Sequence, residues 1–362
     1  MKKVFAFLVM AFFMAVPFTS RAEEESDGKI NAGADIIGHV TDAHSWHIFS
    51  YVSDGETHHV SVPLPVILIN DGHLDIFMSS KFEHGHASYK GYSLVGGGSK
   101  KEEIVYTDAN GVVSKPVDLS ITKTSAAIMI SVILLIVIVM VTKRGYKKRP
   151  NQAPKGLQSL VEMLVVFVRD DIVRPMIGEA KYQKYLPYLL TLFFFIFFSN
   201  ILGLIPIFPA GGNISGNIAV TATLAVITFL ITNISGNKHY WTDIFNTPGV
   251  PAWLKIFPLM PIVELMGVFT KPIVLMIRLF ANMTAGHIVI LGFIFLIFIL
   301  SNLFGTLVGG GVTLVSIFFS VFISLLECLV AYLQAFVFTM LTSLYIGMAV
   351  EEPRHGEVNT AE

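Results

Sequence analysis

The sequence predicts an all-α polytopic membrane protein with a small β-rich exported domain at its N-terminal end. Only 14% of the 362 residues are charged and 53% are hydrophobic, whereas soluble domains carry about 25% charged residues. After residue 120, apolar segments long enough to cross a bilayer follow one another. Between residues 23 and 120, short β-like runs alternate with turn signals instead. Together these observations predict five membrane crossings and one small domain outside the membrane.

Residues 1–22 are typical of a secretory signal peptide. Lys2 and Lys3 precede an apolar run, and the Ser-Arg-Ala sequence at 20–22 resembles a small-x-small cleavage site. The alternative is an uncleaved first membrane helix, which the shortness of the apolar run disfavours. In either case we expect the chain from residue 23 onward to start outside the cytoplasm.

Residues 23–120 predict a small β-rich domain of acidic character, with 15 Asp and Glu against 6 Lys. Its strand-like runs occupy residues 58–62, 66–69 and 103–106, and its turn signals occupy residues 70–72, 96–98 and 110–111. Eight of the 11 histidines lie here, but no spacing among them matches a metal-ligand pattern. We therefore expect no metal site and no cofactor.

The composition also excludes several classes of protein. Cys328 is the only cysteine, which excludes a disulfide framework and a cysteine-rich metal centre. No basic face with interleaved aromatic residues occurs, so binding of nucleic acid is not expected.

The first predicted span covers residues 125–142, and a cluster of six basic residues without any acid follows it at 143–155. The positive-inside rule assigns this end to the cytoplasm. Residues 23–120 are then expected on the outer side of the membrane, in agreement with the signal peptide. Apolar residues at helical spacing over 157–172 predict an amphipathic helix along the cytoplasmic interface.

Two further spans are predicted at residues 186–205 and 217–234, within a stretch that contains no charged residue and no histidine. The second begins at Asn217 and carries three threonines on the same helix face. This polar stripe either joins helices to one another or lines a wet passage. Hydroxyl groups alone favour the joining of helices.

The last two spans lie between residues 257 and 350, each about 40 residues long, and a glycine-rich turn is predicted between them at 305–311. A perpendicular crossing needs only about 20 residues. We therefore expect both helices to tilt steeply. The membrane domain is thus predicted to cover residues 121–350, with residues 351–362 as a cytoplasmic tail.

Ionisable residues are rare in these two long segments, where they number five: Glu264, Lys271, Arg278, His287 and Glu327. Such residues inside a membrane are functional candidates, because burying a charge there costs free energy. A spacing of seven residues places the first three on one helix face, which Asn282 extends by a turn. His287 follows Arg278 by two and a half turns and therefore faces the opposite side.

The last helix carries a polar stripe that includes a carboxylate and an amide. Its members recur at helical spacing and are Ser320, Ser324, Glu327, Ala331 and Gln334. Core packing does not readily explain such a stripe, which favours a path for ions or water.

Three segments of the chain resemble subunit a of the bacterial F-type ATP synthase membrane sector. They are 271–272 (Lys-Pro), 277–287 (Ile-Arg-Leu-Phe-Ala-Asn-Met-Thr-Ala-Gly-His) and 333–338 (Leu-Gln-Ala-Phe-Val-Phe). The resemblance covers about residues 125–350, including similar motifs at 198–206 and 212–214. The exported domain lies outside the usual core of this family.

The resemblance implies a role for each candidate residue. Arg278 matches the essential arginine that faces the carboxylates of a rotating ring, and Asn282 and Gln334 match its polar neighbours. Glu264 matches a carboxylate of the cytoplasmic access path. His287 and Glu327 match the outer access path, although histidine and carboxylate are exchanged relative to some members. The remaining candidates for the proton path are Ser320, Ser324 and Asn217.

The function that the resemblance implies is that of a proton-translocating stator subunit with two offset half-channels, which is not itself catalytic. The implied partners are the ring-forming subunit c, the peripheral-stalk subunit b, the remaining subunits of the complex and membrane lipid. The implied location is the inner membrane, with the N-terminal domain in the periplasm and the C-terminus in the cytoplasm.

Two other functional classes are alternatives to this one. A secondary ion antiporter also places charges in its membrane core, but such folds usually contain inverted repeats, and no second copy of the Arg278 segment occurs. A membrane anchor for the exported domain leaves the charges after residue 260 unexplained.

Overall fold

A computed structural model describes residues 41–53, 56–85, 87–97, 100–108, 111–148, 152–205, 211–245, 259–304 and 306–352. The predicted signal peptide and the tail from residue 353 lie outside the described residues. The chain forms two compact units. The described parts of Met1–Ser131, Ser199–Asn217 and Met283–Cys328 make up the first unit, and those of Val132–Phe198, Ile218–Asn282 and Leu329–Glu362 make up the second.

The N-terminal part of the first unit is built from β-strands, as the sequence predicts. In the described residues the strands are β1 (Ser45–Ser53), β2 (Glu56–Pro63), β3 (Pro65–Asn70), β4 (His73–Met78), β5 (Tyr92–Gly97), β6 (Lys100–Thr107), β7 (Val113–Ser114) and β8 (Val117–Asp118). They pair antiparallel in the orders β1-β2, β4-β3-β8 and β5-β6-β7. All three predicted strand segments are confirmed.

The turn between β3 and β4 shows how the sequence sets the register of this sheet. Asn70 pairs with His73, and the two residues between them have positive φ angles, 47° at Asp71 and 81° at Gly72. Two-residue hairpin turns with positive φ match the right-handed twist of the strands. The predicted turn at 70–72 is therefore confirmed.

The core of the β domain lies on one face of these strands. Its buried residues are Val66, Leu68, Phe82, Tyr92 and Ile104. Val66 and Leu68 alternate along β3 with less buried residues, which is the period of two expected of a half-buried strand.

Most of the described chain after residue 122 is helical. They are α1 (Lys123–Lys148), α2 (Leu157–Phe167), α3 (Arg174–Ile177), α4 (Tyr182–Leu204), α5 (Ile218–Ser235), α6 (Lys238–Phe245), α7 (Leu259–Phe304) and α8 (Thr306–Val350). In the described residues, α1, α4, α5, α7 and α8 are long and apolar enough to cross a membrane. The predicted architecture of five membrane helices after a β-containing region is confirmed.

The predicted glycine-rich turn at residues 305–311 is wrong in extent. Helix α8 begins at Thr306 and includes the three glycines at 309–311. A glycine inside a helix costs about 1 kcal/mol, but a backbone group without a partner in hydrocarbon costs several kcal/mol. The need to pair the backbone therefore outweighs the low helix propensity of glycine.

The predicted amphipathic helix at 157–172 is interrupted. Helix α2 ends at Phe167, and residues Val168–Val173 form a π-helix before α3. Val161 and Leu164 are buried as the periodicity predicts, whereas Leu157 and Leu160 are exposed. The position of this segment along a membrane interface stays a prediction.

An aromatic cluster organises the second unit. The ring of Tyr332 on α8 lies 6.3 Å from Phe167, 6.4 Å from Phe193 and 6.1 Å from Phe197, measured between ring centroids. These contacts join α2 and α4 to the second half of α8. At the end of α8, the Lys181 ammonium donates to the Val350 carbonyl at 2.9 Å, which satisfies a terminal group of that helix.

A buried histidine in the β domain is held between two carboxylates. His44 is 5% exposed; its Nε2 lies 2.8 Å from Asp118 Oδ2 and its Nδ1 lies 3.5 Å from Glu102 Oε2. Burial alone lowers the pKa of His44, but the hydrogen bonds to Asp118 and Glu102 outweigh it and raise the pKa to about 9. The imidazolium thus links the segment before β1 to β6 and β8.

The pKa of Asp118 complements that of His44. Burial works to raise the pKa of this carboxyl, but the hydrogen bonds from His44 and Ser120 lower it to about 2. Both partners are therefore charged over a wide range of pH.

We predict that His44→Gln destabilises the β domain in a pH-dependent way. Because the folded pKa of His44 is raised to about 9, its contribution is complete below the unfolded pKa of about 6.5 and is lost as pH rises through about 9. The shift corresponds to roughly 3 kcal/mol. Amide hydrogen exchange in β6 and β8 of the full-length protein, compared with the variant at each pH, measures the difference.

His73→Gln is the control, because His73 is exposed in the β3–β4 turn. We expect it to leave exchange in β6 and β8 unchanged. A difference between wild type and His44→Gln that stays constant from pH 5 to pH 10 contradicts the ionic link.

Candidate functional site

Two of the predicted ionisable residues meet inside the first unit. His287 on α7 and Glu327 on α8 approach to 2.8 Å between Nδ1 and Oε1, with side chains 16% and 3% exposed. We refer to them as the His287–Glu327 pair. Helix periodicity alone does not bring the two together, and the family resemblance is what predicted their association.

The surroundings of His287 place an oxygen atom near each ring nitrogen. Nδ1 lies 2.9 Å from the Met283 carbonyl oxygen, and Nε2 lies 3.3 Å from the Gly203 carbonyl oxygen at the end of α4. A neutral imidazole has only one N–H to donate. A neutral ring can therefore donate to only one of these carbonyl groups.

Glu327 is the more buried member of the pair, and its carboxylate lies against α7. In the part of the chain that the structure describes, neither carboxylate oxygen has an aligned hydrogen-bond donor, although Nδ1 is close. An ionised carboxylate buried without donors is costly. The pair thus places an imidazole and a buried carboxylate within hydrogen-bonding distance of each other.

Gly286 is what allows the two helices to bring these groups together. A Cβ at this position would lie 2.5 Å from Glu327 Oε1 and 2.8 Å from its Cδ. Sequence reasoning missed this role, because glycines at 267 and 292 on the same helix have no described atom within 4 Å of a Cβ position and only the fold distinguishes Gly286 from them. The role of the Gly203 carbonyl was also missed, because every residue has a backbone carbonyl and the sequence does not single this one out.

The other predicted group lies in the second unit. Arg278 on α7 is partly buried, and within the described residues it makes no ion pair and no hydrogen bond. Asn282, one turn further, is exposed, and Gln334 on α8 is buried. The structure does not join these three side chains by hydrogen bonds in the described part of the chain. The positive charge of Arg278 is therefore available to a group that packs against this face of α7.

Tyr345 on α8 is a neighbour of these charges that the sequence did not reveal. The Lys271 ammonium lies 5.4 Å from the centroid of its ring, a distance at which a cation is attracted to an aromatic face. The Arg278 charge also acts on Tyr345. Glu264, further back on α7, is half-buried and interacts electrostatically with Tyr240 on α6.

The remaining predicted site residues are Ser320, Ser324 and Asn217. Ser320 and Ser324 are half-buried on α8, on the face that Glu327 continues. Asn217 donates from Nδ2 to Thr124 Oγ1 at 3.5 Å. In the second unit, the hydroxyls of Tyr188 and Thr228 are 3.0 Å apart, so this part of the threonine stripe joins helices, as the sequence favoured.

Taken together, fold and site define a class: a polytopic membrane protein that buries a histidine–carboxylate pair between two long helices, as proton-translocating membrane proteins do. Comparison with known families makes this specific. The model of the family described as ATP synthase A chain matches residues 126–347, and the chain belongs to this family. The resemblance seen in the sequence is thereby confirmed.

Individual relatives agree with this assignment. ATP synthase subunit a of Pelodictyon phaeoclathratiforme is 46% identical over 247 residues, which cover 67% of this chain and 68% of that protein. ATP synthase subunit a 2 of Chlorobaculum tepidum is 47% identical over 238 residues, 64% of each chain. ATP synthase subunit a of Myxococcus xanthus is 40% identical over 249 residues, 68% of this chain and 78% of that protein.

The N-terminal part of the chain matches a different family. Residues 35–126 match one described as a domain of unknown function. This match and that of the ATP synthase A chain family meet at residue 126, close to the start of α1 at Lys123.

We predict that Gly286→Ala slows proton translocation without preventing assembly. The added methyl group displaces the Glu327 carboxylate from His287, and a loss of about 1.4 kcal/mol from this contact corresponds to about a tenfold lower rate. ATP-driven proton pumping in inverted vesicles, divided by the amount of assembled complex, measures the effect.

Gly292→Ala is the matched control. It lies on the same helix, and a Cβ there meets no described atom within 4 Å. Equal pumping rates for the two variants would show that the space beside Gly286 does not matter.

Proposed function

We propose that this chain is the proton-translocating stator subunit of an F-type ATP synthase. The observation that carries the proposal is the buried His287–Glu327 pair, 2.8 Å apart, in a chain of the ATP synthase A chain family. The chain provides two offset half-channels and performs no catalysis itself. It couples the flow of protons to the rotation of a ring of small subunits.

The outer half-channel delivers protons through the His287–Glu327 pair. A proton arriving from outside binds to the pair and then passes to a ring carboxylate. Ser320 and Ser324, on the same face of α8 as Glu327, supply hydroxyls that both donate and accept hydrogen bonds. Asn217 lies at the outer end of this path.

Arg278 separates the two half-channels. Its guanidinium stays protonated at every relevant pH, so its charge favours the ionised form of a ring carboxylate beside it. A protonated ring site then moves away through lipid and releases its proton on the cytoplasmic side, past Glu264. The same charge repels hydronium and prevents a leak, while Asn282 and Gln334 orient the arginine and the ring carboxylate.

The proposal includes partners and orientation. Subunit c forms the ring, subunit b the peripheral stalk, and the remaining ATP synthase subunits complete the complex. The chain lies in the inner membrane with its N-terminal domain in the periplasm and its C-terminus in the cytoplasm. The basic cluster at 143–155 supports this orientation.

We predict that Arg278→Ala abolishes coupling while the complex still assembles. Arg278 forms no ion pair or hydrogen bond in the described chain, so its removal breaks no internal contact of that kind. ATP synthesis should fall roughly 100-fold or more, which corresponds to about 2.7 kcal/mol. The measurement is ATP synthesis in energised vesicles per assembled complex.

Arg174→Ala serves as the matched control, because it removes the same group from an exposed ion pair with Glu179. Exposed pairs contribute little to stability, so this variant should retain nearly full synthesis. Substantial synthesis by an assembled Arg278→Ala complex would overturn the proposed function.

We also predict that exchanging the two members of the pair preserves part of the activity. His287→Glu and Glu327→His should each slow pumping strongly, because each leaves two like groups together. The double exchange should recover part of the loss, since one imidazole and one carboxylate still share a proton. Pumping rates of the two single exchanges and the double, in inverted vesicles, give the comparison.

A double exchange no faster than the slower single exchange would mean that the two residues act separately. Ser61→Ala in the β domain is a control for effects of expression and insertion.

A further inference from the structure

Residues just before β1 and at its start fasten the β domain to the first membrane helix. The backbone N–H of Lys123 donates to the Ala43 carbonyl at 2.9 Å, and that of Thr124 donates to Asp42 Oδ1, also at 2.9 Å. Free N–H groups at a helix start need such partners. His44, next in the chain, is tied to β6 and β8 as described above. We call residues 42–46 the docking segment.

Trp46 ends the docking segment and is buried to the level of a core residue. It is 4% exposed, and its ring lies 3.9 Å from the position of a Cβ at Gly212, in the loop between α4 and α5. A Cβ at Gly212 would also lie 2.6 Å from the Cβ of Ala127 on α1. The docking segment, α1 and this loop are therefore in close packing at one point. We call residues 211–217 the outer loop.

The outer loop in turn lies against the end of α4. The N–H of Gly211 donates to the Leu202 carbonyl at 2.9 Å, and the Gly212 carbonyl oxygen lies 3.4 Å from the position of a Cβ at Gly203. The next contact is that of the Gly203 carbonyl with His287 Nε2, at 3.3 Å. A continuous series of contacts within the first unit thus leads from Trp46 to the His287–Glu327 pair.

The outer loop is also held by its own polar contacts. Ser215 donates to the Asn200 side chain, both of them buried, and Gly216 N–H donates to Asn213 Oδ1 at 2.9 Å. These bonds fix the loop at its far end, whereas Trp46 fixes the end that lies against Gly203. Without Trp46, the loop would have an open space beside Gly212.

We infer that the N-terminal β domain positions the outer end of the proton path, by seating Trp46 on the outer loop and so holding the Gly203 carbonyl against His287. This role differs from that of a domain that is attached to the membrane part only through the chain. Such a domain needs no indole buried against the membrane part and no hydrogen bonds to the start of α1. The inference rests on the proposed function, and it gives a role to a domain whose family is described as one of unknown function.

The first experiment compares Trp46→Ala with Trp241→Ala in the assembled complex. Trp241 lies on α6 in the second unit and loses the same atoms. Trp46→Ala should lower ATP-driven proton pumping per assembled complex about tenfold, because small misplacements of reacting groups are costly. Trp241→Ala should pump as wild type does, and Trp46→Phe, which keeps an aromatic ring, should recover most of the rate.

Hydrogen exchange provides a readout that does not depend on the function. Trp46→Ala should speed exchange in the outer loop and at the end of α4, and leave α6 unchanged. Wild-type exchange there, together with a wild-type pumping rate, would overturn the inference. If Arg278→Ala is inactive while Trp46→Ala pumps normally, the proposed function stands and this inference fails.

A second pair of variants tests the packing without changing the β domain. Gly212→Ala should slow pumping because its methyl group collides with Ala127, and Ala127→Gly in the same chain should restore the rate by removing the opposing methyl group. This test stays informative if Trp46→Ala fails to assemble. A Gly212→Ala complex that pumps at the wild-type rate would show that the position of the outer loop does not affect the path.

Discussion

The position of His287, whose two ring nitrogens both lie close to oxygen atoms, constrains how α4, α7 and α8 approach one another in the first unit. Nδ1 of His287 lies close to the Met283 carbonyl and to the Glu327 carboxylate, and Nε2 lies close to the Gly203 carbonyl. To reach that arrangement, α7 must carry a glycine at 286, α8 must approach closely enough to bury a carboxylate, and α4 must end with its Gly203 carbonyl directed at the ring. The arrangement of the His287–Glu327 pair therefore depends on the positions of backbone atoms as well as on its own side chains.

The sequence predicts most of the fold because the relevant signals are local. Apolar length identifies the five spans, and the Asp71-Gly72 dipeptide specifies a tight turn whatever surrounds it. Local signals fail at residues 305–311, where the low helix propensity of glycine predicts a turn. In an apolar environment an unpaired backbone costs more than glycine does, so the helix begins at Thr306.

The candidate site is predictable only in part. Arg278 and Glu327 are conspicuous as ionisable residues in apolar helices, and the roles proposed for them come from the family resemblance. The contributions of Gly286, the Gly203 carbonyl and Trp46 arise from tertiary contacts that no periodicity encodes. A missing side chain, a main-chain oxygen and a buried ring are each visible only once the helices and the β domain have been brought together.

The docking segment has a consequence for biogenesis. Its contacts close long stretches of chain: 58 residues separate His44 from Glu102, 74 separate His44 from Asp118 and 82 separate Asp42 from Thr124. The β-domain core lies between residues 66 and 104, within a shorter stretch. Long closures cost more entropy than short ones. The contacts with Lys123 and Thr124 therefore require that the start of the first membrane helix has emerged, whereas the core of the β domain is built from residues that precede it.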